Sequence, residues 1–347
     1  MLVDSPPEQR AESAPAPPSR RAIRSLGLLG SAVLLVLVAL ASVAIGAKDL
    51  SLAQVWHGLF QDTGTYGDVV VDERVSRTVL GLLAGAALGL AGAVLQALTR
   101  NPLADPGLLG INAGASAAVV TAISFLGVTS MSGYIWFAFF GAAAVGALVW
   151  FLGGSRGATP VRLALAGTAI SAALYGYLQA VMISDNAALG RMRFWTVGSL
   201  SSATGSTIAQ VLPFLVTGMV LALALARPLN AMSMGDDTAK ALGAHLGRTR
   251  ALSMLAATVL CGAATAACGP IVFVGLMVPH VVRSFTGPDL RWILPYAAVL
   301  SPVLLLGADV IGRVIARPSE VQVGIITAII GGPVFILLVR RRRTAQL

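Results

Sequence analysis

Apolar residues in this chain neither alternate nor keep to one helical stripe. They come in long, nearly unbroken runs separated by short polar stretches. A helix needs about 20 predominantly apolar residues to cross the hydrocarbon of a bilayer. The runs predict spans near 26–47, 78–98, 107–128, 134–153, 162–183, 207–226, 250–268, 271–282, 292–310 and 322–339. The eighth is too short to cross alone. It lies between Gly269-Pro270 and Pro279, so it reads as a broken helix, which survives only inside protein or beside a water cavity. The expected fold class is an all-α integral membrane protein of about ten transmembrane helices.

Composition supports the same class. Of 347 residues, 56% are hydrophobic and 11% charged, against roughly 25% charged in an ordinary soluble domain. The net charge of +9 raises nucleic acid as a partner. However, the basic residues sit in short clusters between apolar runs and no basic face is interleaved with aromatics, so nucleic acid is set aside. Placement of the basic residues tests the span count. With the N-terminus in the cytoplasm, ten spans put 17 of the 24 lysines and arginines on the cytoplasmic side and 7 outside. That bias follows the positive-inside rule and predicts a multi-pass protein of the bacterial plasma membrane with both termini cytoplasmic. Residues 1–24 hold five prolines and four arginines without an apolar run and read as a disordered cytoplasmic tail. Residues 25–347 read as the transmembrane domain. The first run exceeds a signal-peptide core and is taken as a retained span.

Several chemistries lack their residues. Cys261 and Cys268 lie seven apart in one apolar run and read as small buried hydrophobes rather than a metal or redox pair. There is no GxxxxGK[ST] loop, and the lysines are only Lys48 and Lys240, so ATP is not held here in the P-loop manner. No HExxH, GxSxG or paired-carboxylate pattern supports an enzyme. Asp185, Asp309 and Glu320 fall near span ends. The absence of mid-span ionisable residues argues against an ion-coupled secondary transporter, which remains the alternative from another class. Gly81, Gly85, Gly89 and Gly92 allow close helix approach. The second and seventh spans each run into a proline break, Asn101-Pro102 and Gly269-Pro270. Transporters built from two related halves carry breaks in this way, although residue identity between the halves is slight.

Residues 100–115, RNPLADPGLLGINAGA, cannot continue a helix through Pro102 and Pro106; by residues alone they form a tight turn. This stretch resembles a signature of the FecCD family, the iron-siderophore and vitamin B12 permeases of ABC importers. Residues 269–291, GPIVFVGLMVPHVVRSFTGPDLR, and 308–337, ADVIGRVIARPSEVQVGIITAIIGGPVFIL, resemble two more, in the family's order. The resemblance spans about residues 26–340. It implies a type II ABC importer permease of ten helices in a homo- or heterodimer. It also implies a cytoplasmic ABC ATPase dimer that carries ATP and Mg, an extracytoplasmic substrate-binding (lipo)protein, and no cofactor or metal on this chain. The implied cargo is a metal chelate, foremost a ferric siderophore, with cobalamin and haem as alternatives.

The same resemblance suggests site residues. In 232–250, Asp236 and Asp237 suit a helix start and Gly243 a stop, predicting a short helix from Asp236 to Leu242. On residues alone this is either a rigid transmitter or a passive connector. Similarity to the family's coupling segment implies ATPase docking through Gly235, Asp236, Asp237, Ala239, Leu242 and Gly243. Arg74, Arg77 and Arg313, ordinary interface anchors by position, would by resemblance meet carboxylates of the binding protein. Asp72 and Glu73 could instead pair locally with Arg74. A cytoplasmic gate is implied at Asn101 and Leu103, and another at Thr159 to Val161. The channel mouth is implied at Trp195, Gly198 and Ser199. Nearby, Arg191 and Arg193 either attract anionic chelates or touch headgroups.

Overall fold

A computed structural model describes residues 20–61, 64–154, 160–241, 243 and 245–344. Most of the expected tail, and Thr159 and Leu242 among the site residues, lie outside them. All regular secondary structure among these residues is helical. In order come α1 (Arg20–Ala44), α2 (Leu52–Phe60), α3 (Tyr66–Leu98), a 3-10 turn (Pro106–Leu109), α4 (Ile111–Leu126) and α5 (Met131–Gly154). There follow α6 (Pro160–Ser184), α7 (Asn186–Trp195), α8 (Gly205–Ala224), α9 (Ala226–Ser233) and α10 (Asp236–Ala241). The last are α11 (Leu246–Cys268), α12 (Val274–Thr286), α13 (Leu290–Ile315) and α14 (Val323–Thr344).

Seven helices are long and apolar enough to cross a membrane by length and composition: α1, α3, α5, α6, α8, α11 and α13. The apolar parts of α4 and α14 are shorter, and α12 has 13 residues. These ten helices correspond to the ten apolar runs. The largest departure is at α3, which starts at Tyr66 rather than near 78. A capping box explains the early start. The Thr65 hydroxyl accepts from the Asp68 amide, and the Asp68 carboxylate accepts from the Thr65 amide at 3.0 Å.

The bundle is organised around α3 and α11, whose apolar windows are 78% and 72% buried; that of α1 is only 6% buried. The α3 glycines set the spacing. A side chain at Gly85 would meet the Pro302 backbone of α13 at 2.6 Å, and one at Gly92 would strike the Gly275 carbonyl of α12. The broken helix α12 is thus pressed against the middle of the bundle. There the Gln96 amide donates to the Leu276 carbonyl at 3.0 Å. Polar ties also run between spans. The Thr265 hydroxyl of α11 donates to Asn112 Oδ1 of α4 at 2.9 Å, as expected where lipid offers no competing partner. Cys261 and Cys268 are both buried.

Both breaks have backbone causes. After α3, Arg100 takes φ of 50° and Pro102 forbids continuation; after α11, Gly269 has φ of 72° and Pro270 follows. The Asn101 and Asp105 side chains then accept from the Leu103 and Gly107 amides, at 3.0 and 2.7 Å, which satisfies donors that the helix no longer serves.

Candidate functional site

The functional candidates gather at the two ends of the bundle. One end carries the start of α1, the α3–α4 break, α9, α10 and the end of α14. Here the short helix begins at Asp236 as expected. Gly235 before it, with φ of 109°, and Gly243 after it, with φ of 80°, take conformations that side chains avoid. Ala239 faces inward and is fully buried. Asp237 is exposed and lies 3.6 Å from Lys240.

Asp236 behaves differently from Asp237. One carboxylate oxygen accepts from Arg100, the last residue before the Asn101-Pro102 break. The other accepts from Arg250 of α11 at 2.7 Å. Partial burial pushes this carboxyl upward. The hydrogen bond from Arg100 and the charges of both arginines outweigh that and hold it below the usual carboxylate range. Arg100 also donates to the Met232 carbonyl at 2.6 Å. Sequence reasoning placed Arg100 in a motif and Arg250 in a loop, but gave neither a partner.

The suspected gate segments do meet. Asn101 and Val161 line one cavity of about 320 Å³, together with Leu95, Asp105, Leu165 and Thr168. Leu103 is half-buried beside it. Burial of Asp105 raises its carboxyl to about 6, against the opposing hydrogen bond from the Gly107 amide.

At the opposite end the arginines are not flanking anchors. Arg74 and Arg77 lie inside α3 and Arg313 inside α13, and all three are buried. The Arg77 guanidinium grips Asp309 with Nη2–Oδ1 at 2.7 Å and Nε–Oδ2 at 3.0 Å, and reaches Glu320 at 2.6 Å. Arg313 Nε lies 3.1 Å from Asp309 Oδ2, while its Nη1 donates to the Ser42 carbonyl at 2.9 Å. Arg74 donates to the Val43, Ala44 and Lys48 carbonyls at 3.2, 2.9 and 2.5 Å. Arg317 donates to the Gly46 carbonyl at 2.7 Å. Four arginines therefore surround Asp309 and the end of α1. Those on α1 serve carbonyls that its helix leaves without partners, at its negative dipole end. Arg74, Arg77 and Arg313 also line a cavity of about 400 Å³ at this end with Lys48, Glu73 and Glu320.

The channel-mouth candidates cluster nearby. Trp195 and Gly198 are buried, and the Ser199 amide donates to the Cys268 carbonyl at 2.7 Å. The Gly324 amide donates to the Gly198 carbonyl at 3.1 Å. The segment after α7 is thus stitched to the end of α11 and the start of α14, while Arg191 and Arg193 stay exposed.

The profile of the FecCD transport family matches residues 34–341. The chain belongs to the FecCD transport family. This FecCD protein is 47% identical to the ferric enterobactin transport system permease protein FepD of Escherichia coli, over 92% of this chain and 96% of the relative. It is 40% identical to the Fe(3+)-citrate import system permease protein YfmD of Bacillus subtilis, over 88% and 91%. A solved structure of a metal-chelate type ABC transporter in an inward-facing conformation superposes with a TM-score of 0.81 at 27% identity, covering 91% of this chain and 99% of that one. The FecCD chain is thus a multi-pass membrane permease subunit of the ABC class, a family whose members are not themselves enzymes. Asp309 and Arg250 are the site residues that its sequence concealed. A run of Asp309-x-x-x-Arg313 at helical spacing was the available signal.

Proposed function

We propose that this permease forms the channel through which an importer carries a ferric siderophore into the cytoplasm. A separate ABC ATPase dimer supplies the energy. The observation that carries the reading is near full-length similarity to a permease of ferric enterobactin transport, at 47% identity. Cobalamin and haem are the next cargoes in the same chemical class of bulky metal chelates.

The end bearing the start of α1 and the end of α14 is assigned to the cytoplasm, on the distribution of arginines and lysines. The α10 segment, with exposed Asp237 and Lys240, is assigned to the ATPase, with Gly235, Asp236, Ala239, Leu242 and Gly243 shaping it. Asn101, Leu103 and Thr159 are assigned to the cytoplasmic gate, and Trp195, Gly198 and Ser199 to the wall of the channel mouth. The binding protein is assigned to the outer cavity lined by Arg74, Arg77 and Arg313. Arg77 and Arg313 are already engaged within the chain, so their part is to hold the rim in shape. A second permease copy or a related chain completes the channel.

The test is uptake of an iron-labelled siderophore into vesicles holding the permease, ATPase and binding protein. Uptake should require ATP and all three proteins. Uptake that persists without the ATPase and follows an ion gradient would mean a secondary transporter. Uptake of cobalamin or haem in preference to ferric siderophore would reassign the cargo.

A further inference from the structure

The polar contacts at the α10 end converge on one carboxylate. Asp236 is the first residue of α10, the segment assigned to the ATPase. Its two oxygens are divided between two arginines from different parts of the bundle. Arg100 stands at the foot of α3, and Arg250 lies in the first turns of α11. These two helices have the most deeply buried apolar windows among the spans. Arg100 also holds the Met232 carbonyl at the end of α9, so a single guanidinium grips the loop on both sides of Gly235.

Arg100 is itself set in an unusual place. Its φ of 50° lies in the left-handed region, which non-glycine residues rarely adopt. Asn101 and Pro102 follow immediately, and Asn101 lines the same cavity as Val161 of α6. The residue that grips α10 is therefore the residue at which α3 stops and the gate segment begins.

We propose that Asp236, Arg100 and Arg250 form a clasp that transmits displacement of α10 to the feet of α3 and α11, and that Arg100 is the positioning residue that carries it to the gate. This rests on the reading of α10 as the ATPase contact. A connector that was only tethered would need one ion pair to one neighbour. Here one carboxylate bridges the two central helices, so α10 cannot shift without moving both helix feet or breaking charged hydrogen bonds. The clasp is partly exposed, with the Asp236 side chain 37% accessible, which leaves it able to break and reform as the loop moves.

The experiment uses the full complex in proteoliposomes, comparing wild type, Arg100→Gln, Arg100→Lys, Asp236→Asn and the Arg100→Gln/Asp236→Asn double variant. Transported chelate per ATP hydrolysed is measured beside thermal stability in detergent and co-purification of the ATPase. Arg100→Gln is expected to lower transport per ATP about fivefold, the factor set by a partly exposed charge pair, while the ATPase still co-purifies. Arg100→Lys should recover part of the loss. Adding Arg100→Gln to Asp236→Asn should cost clearly less than the product of the two single losses, because the two share one contact. Independent, multiplying losses would overturn the clasp. So would unchanged coupling in Arg100→Gln, or a loss explained by lower thermal stability. Reversing the exposed pair, Asp237→Lys with Lys240→Asp, tests the underlying reading separately. Weaker ATPase association supports it, and unchanged association removes it.

Discussion

Asp309→Asn offers the sharpest test of how the arginine-rich end of the bundle, where α1 stops, is held together. Asp309 is fully buried, and its carboxylate faces two guanidiniums that are themselves almost wholly buried. Asparagine keeps the shape and one acceptor oxygen but removes the charge. Two cations then remain inside the protein, with Glu320 the surviving acid, 2.6 Å from Arg77 and 35% exposed. Breaking a buried ion pair by removing one partner costs about 3–5 kcal/mol. Because Glu320 still compensates part of the Arg77 charge, the expected loss is about 3 kcal/mol, the low end of that range. Glu320→Gln should cost about 1 kcal/mol or less, because that partner is accessible to water. The assay is reversible unfolding of the purified permease in mixed micelles by SDS titration, reading helicity. The Arg77→Gln/Asp309→Asn double variant should recover part of the loss, since one unpaired cation has gone. Equal losses for Asp309→Asn and Glu320→Gln, or a loss under about 1 kcal/mol for the former, would refute the idea that this buried charge cluster organises the end of α1, α3 and α13.

The other expected outcomes follow from single contacts. Gly92→Ala places a methyl group against the Gly275 carbonyl. It should destabilise the permease by about 1–3 kcal/mol in the same titration, through overpacking of α3 on α12. Thr265→Val keeps the shape but leaves Asn112 Oδ1 only the weak Cys261 thiol donor at 3.6 Å in place of the hydroxyl at 2.9 Å, so a loss of about 1 kcal/mol is expected. Asp105→Asn keeps an acceptor for the Gly107 amide while removing a carboxyl that burial raises to about 6. A raised carboxyl favours folding below its unfolded value near 4, and that contribution is lost as pH rises through about 6. The variant should therefore be more stable than wild type at pH 7 and no more stable at pH 4, read by thermal unfolding at both.

Much of the local structure around the candidate residues followed from sequence because each local signal had one dominant cause. Asn101-Pro102 and Gly269-Pro270 stop helices wherever they stand, so both breaks were legible. Gly235, Asp236 and Gly243 marked the bounds of a short helix, which ends at Ala241 among the described residues. The beginning of α3 was missed because its first turns carry Asp68, Asp72, Glu73, Arg74 and Arg77. A hydropathy window rejects such a stretch, although the Thr65-to-Asp68 capping box marks a helix start. The contacts of Arg74, Arg77 and Arg313 were hidden for a related reason. An arginine beside an apolar run looks like an interface anchor, and only its three-dimensional neighbours reveal whether it faces headgroups, a partner or a buried acid.

The order of apolar runs, the proline breaks and the basic bias of one side are properties of short stretches of chain, set by the cost of exposing polar backbone and charge to hydrocarbon. They determined the all-helical membrane class, and three long motifs determined the family. Tertiary structure alone decided which charges meet. Arg77 and Asp309 are 232 positions apart, and Arg100 and Asp236 are 136 apart. No local preference links such pairs. They are chosen by how the glycine-lined face of α3 seats against α12 and α13, because ion pairs inside a bundle form only where packing brings opposite charges within hydrogen-bond reach.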